Sequence, residues 1–301
     1  MAFYFSWILV AVMGFSIKLG NTCMVAASEQ IIKHKNPTKL LHIVHSWLWI
    51  ILLITALQIQ GFNVPIISFR FSWMTVVGGL LLGWGAFKNK ACAIGTISKI
   101  GDGNFNYLFS PLGMFFSVFI FYLLPFHHPQ QITTSSIITQ FPIAFFIFSI
   151  VAIVATLFFF WKKNPNQQSP VKHFIQPASI VAICFVLLLL NNISWSYTTL
   201  ITDVAQNKLH IESNRILLFG IFFLSVILGG LYLKTFRLHA FDLKSALHCF
   251  WGGALIGLGS QCIIGSHDMI TLYGFPLLLT SAVIAMLLNL LTIACCIKFS
   301  K

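Results

Sequence analysis

Nine long apolar segments dominate this 301-residue chain, and they restrict it to folds that lie within a lipid bilayer. A helix needs about 20 apolar residues to cross the hydrocarbon core. The segments lie near residues 3–19, 42–61, 72–88, 107–125, 140–161, 174–195, 214–234, 246–264 and 275–298. Hydrophobic residues make up 58% of the chain and charged residues 8%, a composition that excludes an ordinary soluble domain.

The apolar segments favour helices over a membrane β-barrel. A barrel strand alternates polar and apolar residues, whereas residues 186–190 read Val-Leu-Leu-Leu-Leu without interruption. Helices satisfy their own backbone hydrogen bonds in lipid. We therefore predict an all-α polytopic membrane protein with about nine transmembrane helices. Residues 20–33 and 91–101 are predicted to form short helices or re-entrant turns between the spans.

The basic residues alternate between successive loops. Fourteen of the 18 lie in alternate loops or at the C-terminus: Lys33, Lys35, Lys39, Lys88, Lys90, Lys99, Lys162, Lys163, Lys172, Lys234, Arg237, Lys244, Lys298 and Lys301. Cytoplasmic loops of membrane proteins carry such an excess of positive charge. The pattern predicts an N-terminus outside the cell, nine crossings and a cytoplasmic C-terminus. The first segment lacks the basic start of a signal peptide, so we expect it to be a mature span.

A short pattern occurs three times: a glycine, five residues, a second glycine, and a cysteine a few residues later. The copies are Gly14–Gly20–Cys23, Gly79–Gly85–Cys92 and Gly253–Gly259–Cys262. The middle copy has four extra residues before its cysteine, which is about one helical turn. Repeated hydrophobic segments interrupted by glycine point to a transport pathway at the interface between repeats. The same glycine spacing is also typical of close helix packing.

The repeat predicts one transmembrane transport domain over residues 1–301 with an internal pseudo-repeat. Residues 162–173, rich in asparagine, glutamine and proline, resemble a linker. They separate a first half, about residues 1–161, from a second half, about residues 174–301. No soluble domain is expected.

The three repeat cysteines are the predicted substrate-binding residues: Cys23, Cys92 and Cys262. Polar residues cluster beside each of them, and polar groups are unfavourable in hydrocarbon unless they pair or face a cavity. We interpret the other four cysteines, which lack the glycine pattern, as small core residues. A thiol is a weak donor with a soft sulfur, so it can bind a sulfur anion such as thiosulfate and still release it. The N-termini of broken helices would supply positive potential. No cofactor is expected.

Two alternatives remain open from the residues alone. One is a membrane sulfurtransferase in which a cysteine thiolate takes up sulfur as a persulfide. The other is a soft-metal permease, since thiolates select Cu(I) and His42 and His45 share a helical face. The absence of a CxxC motif and the total of six acidic residues disfavour a cation pathway. Candidates for a proton relay are Glu29, Asp102, His267 and Asp268.

At the repeat cysteines the chain resembles the YeeE/YedE family of sulfur transport proteins. The resemblance is carried by residues 14–23, by Ala91-Cys92-Ala93-Ile94-Gly95-Thr96 with residues 101–104, and by residues 252–262. It implies a non-enzymatic transporter that takes up thiosulfate across the bacterial inner membrane. The implied fold is an hourglass of helices, with short re-entrant helices meeting at the waist.

The resemblance also implies a mechanism and a partner. Cysteines of the family pass the ion along by S–H hydrogen bonds to its sulfur, a role that falls here on Cys23, Cys92 and Cys262. Many relatives work with a small TusA-like sulfur-carrier protein, so a cytoplasmic partner of that kind is expected.

Overall fold

The chain folds into helices over nearly all of the part described by a computed structural model. That part comprises residues 2–20, 23–62, 64, 67–124, 131–133, 136–163, 168–191, 193, 195–206, 213–263 and 267–300. The helices are α1 Ala2–Gly20, α2 Met24–His34, α3 Thr38–Ile59, α4 Trp73–Asn89, α5 Ala93–Gly101, α6 Phe109–Leu123, α7 Ile137–Gln140, α8 Pro142–Lys163, α9 Gln168–Leu190, α10 Tyr197–Ala205, α11 Ser213–Tyr232, α12 Leu243–Ile263, α13 His267–Met269 and α14 Thr280–Phe299. Two three-residue strands, β1 Ile67–Phe69 and β2 Gln131–Thr133, pair antiparallel.

Some residues discussed above lie outside the described part. They include Asn21 and Thr22 within the first repeat, residues 164–167 in the linker, and Lys301 at the C-terminus. The division of the chain into two halves stays a prediction.

A multi-pass helical membrane protein is confirmed. Within the described residues, seven helical stretches are long and apolar enough to cross a bilayer: Tyr4–His34, Thr38–Ile59, Phe105–Leu123, Pro142–Phe159, Asn214–Tyr232, Leu243–Ile263 and Thr280–Phe299. The first of these stretches includes both α1 and α2. The other two predicted spans form helices as well. However, α4 has 17 residues and the apolar part of α9 is Pro177–Leu190, so the count of nine crossings stays a prediction. The predicted short helices between spans are α2 and α5.

The helices differ in how far the rest of the protein covers them. Only 11% of the apolar stretch of α8 is buried, against 61% for α12. Exposed phenylalanine, isoleucine and valine side chains cover α8, so this helix faces lipid at the edge of the bundle. By contrast, α12 lies in the interior, where it contacts both α4 and α6.

Glycine residues bring α4 and α12 into backbone contact. A Cβ on Gly78 would lie 2.8 Å from the carbonyl oxygen of Gly259, and one on Gly85 would lie 2.7 Å from that of Gly252. Because residue numbers rise along one helix as they fall along the other, the two helices are antiparallel. Glycines in and beside the middle and last repeats therefore pack against each other, with the start of one glycine-rich stretch facing the end of the other.

Further glycines on these two helices contact the neighbours on either side. Gly79 and Gly83 of α4 face backbone atoms of α14, and Gly253 and Gly257 of α12 face backbone atoms of α6. Four helices are therefore joined in a row through glycine. Small residues serve this purpose in membranes because lipid gives helices no hydrophobic reason to associate.

Replacing Gly85 by alanine should destabilise the protein. The new methyl group would meet the Gly252 carbonyl oxygen and the Ile256 nitrogen at 2.7 and 2.8 Å, so the helix backbones must part. Such overpacking costs about 1–3 kcal/mol. The measurement is the melting temperature of the purified protein in detergent.

The matched control is Gly220→Ala on α11. Gly220 is also helical, but a Cβ there would have no atom within 4 Å. Because alanine favours helix over glycine, this variant should melt at or above the wild-type temperature. Equal melting temperatures for the two variants would argue against close α4–α12 packing.

Candidate functional site

The turn between α4 and α5 places Cys92 at the start of a helix. Helix α4 ends where Lys90 adopts a left-handed conformation with φ of 55°. Ala91 then donates its N–H to the Ala86 carbonyl at 3.1 Å. Two residues beyond Lys90, Cys92 caps α5 in extended conformation. Its Sγ accepts a hydrogen bond from the Gly95 N–H at 3.4 Å. The thiol therefore lies at the positive end of α5.

The buried Asn89 side chain holds this turn together. Its Nδ2 donates to the Ala91 carbonyl at 2.9 Å and to the Thr96 hydroxyl at 2.8 Å. The Thr96 hydroxyl in turn donates to the Cys92 carbonyl at 3.0 Å. Both ends of the turn are thus bonded to one amide, which limits the motion of the cysteine.

Cys23 reaches the same place from a distant part of the chain. It caps the N-terminus of α2, and its Sγ lies 3.7 Å from that of Cys92. Both thiols are free and buried. A Cβ on Gly95 would lie 2.5 Å from the Cys23 Sγ, so glycine at this position leaves room for the thiol. Two thiols and the N-termini of two short helices meet at this point.

An ion pair ties α1 to α5, the helices that flank the two cysteines. Lys18 is 5% exposed; its Nζ donates to the Ser98 carbonyl at 3.1 Å and pairs with the Asp102 carboxylate. Because this lysine is bonded within the protein, its charge is largely neutralised near the site.

Helix α10 also begins close to α5. Ser196 caps it by accepting a hydrogen bond from the Thr199 N–H at 3.1 Å. The next residue, Tyr197, is fully buried, and its hydroxyl donates to the Ala93 carbonyl at 2.6 Å. A third short helix is thereby joined to the helix that starts at Cys92.

The segment after the third repeat contributes a buried polar pair, His267 and Asp268. One carboxyl oxygen of Asp268 accepts a hydrogen bond from the Thr198 hydroxyl. The Asn289 amide of α14 donates to Nε2 of His267 at 3.3 Å. Both residues are almost fully buried, at 1% and 0% exposure. This pair links α10 and α14 beside the two cysteines.

A small cavity of about 20 Å³ lies beside Cys92. That volume holds about one water molecule. Its polar lining consists of Cys92, His267, Trp47, Ser46 and Thr271, and the rest of the lining is apolar. The cavity thus places a thiol, an imidazole and an indole around one enclosed space.

The structure does not bring the third predicted site cysteine to this point. Cys262 lies near the end of α12, where its Cβ would be 2.9 Å from a Cβ on Gly78. It does not line the cavity beside Cys92. The structure thus joins Cys23 with Cys92, and the role of Cys262 stays a prediction.

The proton-relay candidates divide into two groups. Glu29 pairs with Lys33 at 2.5 Å, and Asp102 pairs with Lys18, so both carboxylates belong to ion pairs. His267 and Asp268 are buried beside the cavity instead. Asp268 Oδ2 has no hydrogen-bond partner among the described residues, which leaves it the better placed of the carboxyl groups for carrying a proton.

His45, one of the two histidines considered as metal ligands, forms hydrogen bonds within the helix bundle instead. This residue is fully buried, and its Nε2 accepts a hydrogen bond from Trp49 at 3.1 Å. Its Nδ1 lies 3.3 Å from the Thr156 hydroxyl, so both ring nitrogens are engaged within the bundle. Across the described ranges, no group of three His, Cys, Asp or Glu side chains is arranged to hold a metal ion.

Sequence reasoning missed several residues of the site: Trp47, Tyr197, Thr198 and Asn289. Trp47 looks like an ordinary core aromatic within an apolar segment. Asn289 offered a signal, because an amide in the middle of an otherwise apolar span needs a partner. Nothing local marks Tyr197 or Thr198 as neighbours of the cysteines.

The chain was compared with known families and with curated proteins. A family model described as sulphur transport matches residues 19–295, a range that contains all three repeat cysteines. This match confirms the resemblance to YeeE/YedE proteins. No curated protein matches the chain.

Mild oxidation should join Cys23 to Cys92. Their sulfurs lie 3.7 Å apart, and a disulfide needs about 2.05 Å, so a small movement is sufficient. After diamide treatment of the protein in membranes, mass spectrometry of unreduced peptides should find the Cys23–Cys92 link. Cys262 serves as the internal control, since its contacts are with α4. A link from Cys262 to Cys23 in place of Cys92 would contradict this arrangement.

Proposed function

We propose, since the chain belongs to the sulphur transport family, that it takes up thiosulfate or a closely related sulfur anion through a thiol-lined path. The family makes it a multi-pass sulfur transporter. The contact between Cys23 and Cys92 at the starts of two short helices carries the finer proposal. Each helix N-terminus carries a partial positive charge and attracts anions.

The thiols suit the sulfur end of such an ion. A thiol donates a weak hydrogen bond and its sulfur is polarisable, so it binds a soft atom without holding it firmly. A transport pathway needs sites that release their ion as readily as they admit it. Lys18 lies against the C-terminal end of α5 and is already paired with Asp102, so its ammonium would not trap the anion.

The described conformation is closed to the ion. The cavity beside Cys92 has room for about one water molecule, and thiosulfate is several times larger. Transport therefore requires the short helices that start at Cys23 and Cys92 to move apart. Conformational opening of this kind, with the binding site near the middle of the membrane, is common among transporters.

Further parts of the proposal rest on the resemblance and on the charge pattern. Cys262 would act as another relay position on α12. The protein would lie in the bacterial inner membrane with its N-terminus outside and its C-terminus in the cytoplasm. A TusA-like carrier protein would receive sulfur on the cytoplasmic side.

Replacing Cys92 by alanine should abolish thiosulfate uptake at normal protein level. The change removes the only thiol that both contacts Cys23 and lines the cavity in the described residues. Uptake of ³⁵S-thiosulfate by cells that depend on it measures the effect. Cys184→Ala is the control, because Cys184 is also buried but lies in α9 outside the repeat. Full uptake by the Cys92 variant would refute the proposal.

A persulfide mechanism is the second candidate: one thiolate would attack the outer sulfur of thiosulfate and release sulfite, and the neighbouring thiol could then take that sulfur from the persulfide. The relay we propose makes no covalent bond. Mass spectrometry of protein exposed to thiosulfate should therefore find Cys23 and Cys92 unmodified. An added mass of about 32 Da on either cysteine, one sulfur atom, would favour the enzyme instead.

A further inference from the structure

Two buried N–H groups beside Cys92 lack a hydrogen-bond partner among the described residues. They are Nε1 of Trp47 and Nδ1 of His267. Both side chains line the same small cavity as the Cys92 thiol. Nearly all buried donors in proteins are hydrogen-bonded, and an unpartnered one is costly. Two such donors at one cavity are available to a group that accepts hydrogen bonds.

The indole N–H of Trp47 can act only as a hydrogen-bond donor. The ring is 7% exposed and packs against Phe275, with 4.3 Å between the ring centroids. Trp47 is therefore held in place by packing, while its N–H stays available.

For His267, the neighbouring Asn289 decides which ring nitrogen carries the proton. Asn289 Nδ2 donates to Nε2 of His267 at 3.3 Å and to the Met286 sulfur at 3.8 Å. The Met286 thioether can accept but cannot donate, so we assign the amide with its nitrogen on this side. Because Nε2 accepts a hydrogen bond, the proton of the neutral ring lies on Nδ1. His267 is then a second N–H donor at the cavity.

The two hydroxyl groups that line the cavity are already engaged, whereas Asp268 beside it keeps one carboxyl oxygen without a partner among the described residues. The Ser46 hydroxyl donates to the His42 carbonyl at 3.2 Å, and the Thr271 hydroxyl donates to the His267 carbonyl at 2.8 Å. The carboxyl group of Asp268 accepts from Thr198. The two ring N–H groups are thus the donors left for a ligand.

We propose that Trp47 and His267 bind the oxygen atoms of the transported anion while its sulfur faces Cys92. The inference rests on the proposed function and adds a second subsite to it. Neutral N–H donors are typical partners for oxyanion oxygens, and thiols for a soft sulfur. The site would thereby select an anion that carries sulfur at one end and oxygen at the other.

The test compares thiosulfate uptake by purified variants in proteoliposomes. Trp47→Phe keeps the aromatic packing but removes the N–H, and His267→Leu removes the imidazole. Each should raise KM about tenfold or more with little change in kcat, because a donor to the bound ion is lost. His267→Asn keeps an N–H near the Nδ1 position and should restore a KM close to that of the wild type.

Two neighbours provide matched controls. Trp49→Phe and His45→Leu alter the same residue types on α3, the helix that carries Trp47, but Trp49 and His45 bond to each other at 3.1 Å. Their variants should lower the melting temperature and leave KM unchanged. Trp47→Phe should raise KM and leave the melting temperature unchanged, since the Trp47 N–H has no partner among the described residues to lose.

The outcomes separate the two proposals. If wild-type protein takes up no thiosulfate, the proposed function fails, and this inference fails with it. If the wild type transports, Cys92→Ala does not, and both Trp47→Phe and His267→Leu keep the wild-type KM, only the oxygen subsite is refuted. An equal rise in KM for His267→Asn and His267→Leu would also refute it, since the donor would then not matter.

Discussion

The close approach of α4 and α12 is the constraint on which the rest of the structure depends. Glycine faces glycine along this contact, and the backbones meet at distances that a side chain would prevent. In lipid, where helices gain nothing from burying apolar surface, such van der Waals contact is a main source of association. It holds α4 in place, and Cys92 follows within three residues of the end of that helix.

The site is built from the interruptions between helices. Cys23 and Cys92 cap short helices, and the buried His267 follows the end of α12. A helix that ends inside the membrane leaves backbone groups without partners. Asn89, Thr96 and the Cys92 thiol satisfy some of them, and the N–H groups at the helix starts provide a positive potential for an anion.

Among the described residues, no lysine or arginine lines the cavity beside Cys92. Lys18 is bonded to Asp102, and the donors that face the cavity are thiol, indole and imidazole. Neutral donors in a medium of low polarity hold an anion strongly enough to select it. They also let it go, which an unpaired ammonium would oppose. A transporter needs both properties, whereas a protein that stores its ligand needs only the first.

The sequence by itself determined the fold class, the helical segments and the short helices within 20–33 and 91–101, and it predicted Cys23, Cys92 and Cys262 as the site. These follow from hydrophobicity and spacing, which act along the chain. Only the tertiary structure decided that Cys23 touches Cys92 while Cys262 packs on α4, and that Trp47 shares a cavity with His267. Contacts between residues far apart in the chain depend on how whole helices pack, and no local pattern records that packing.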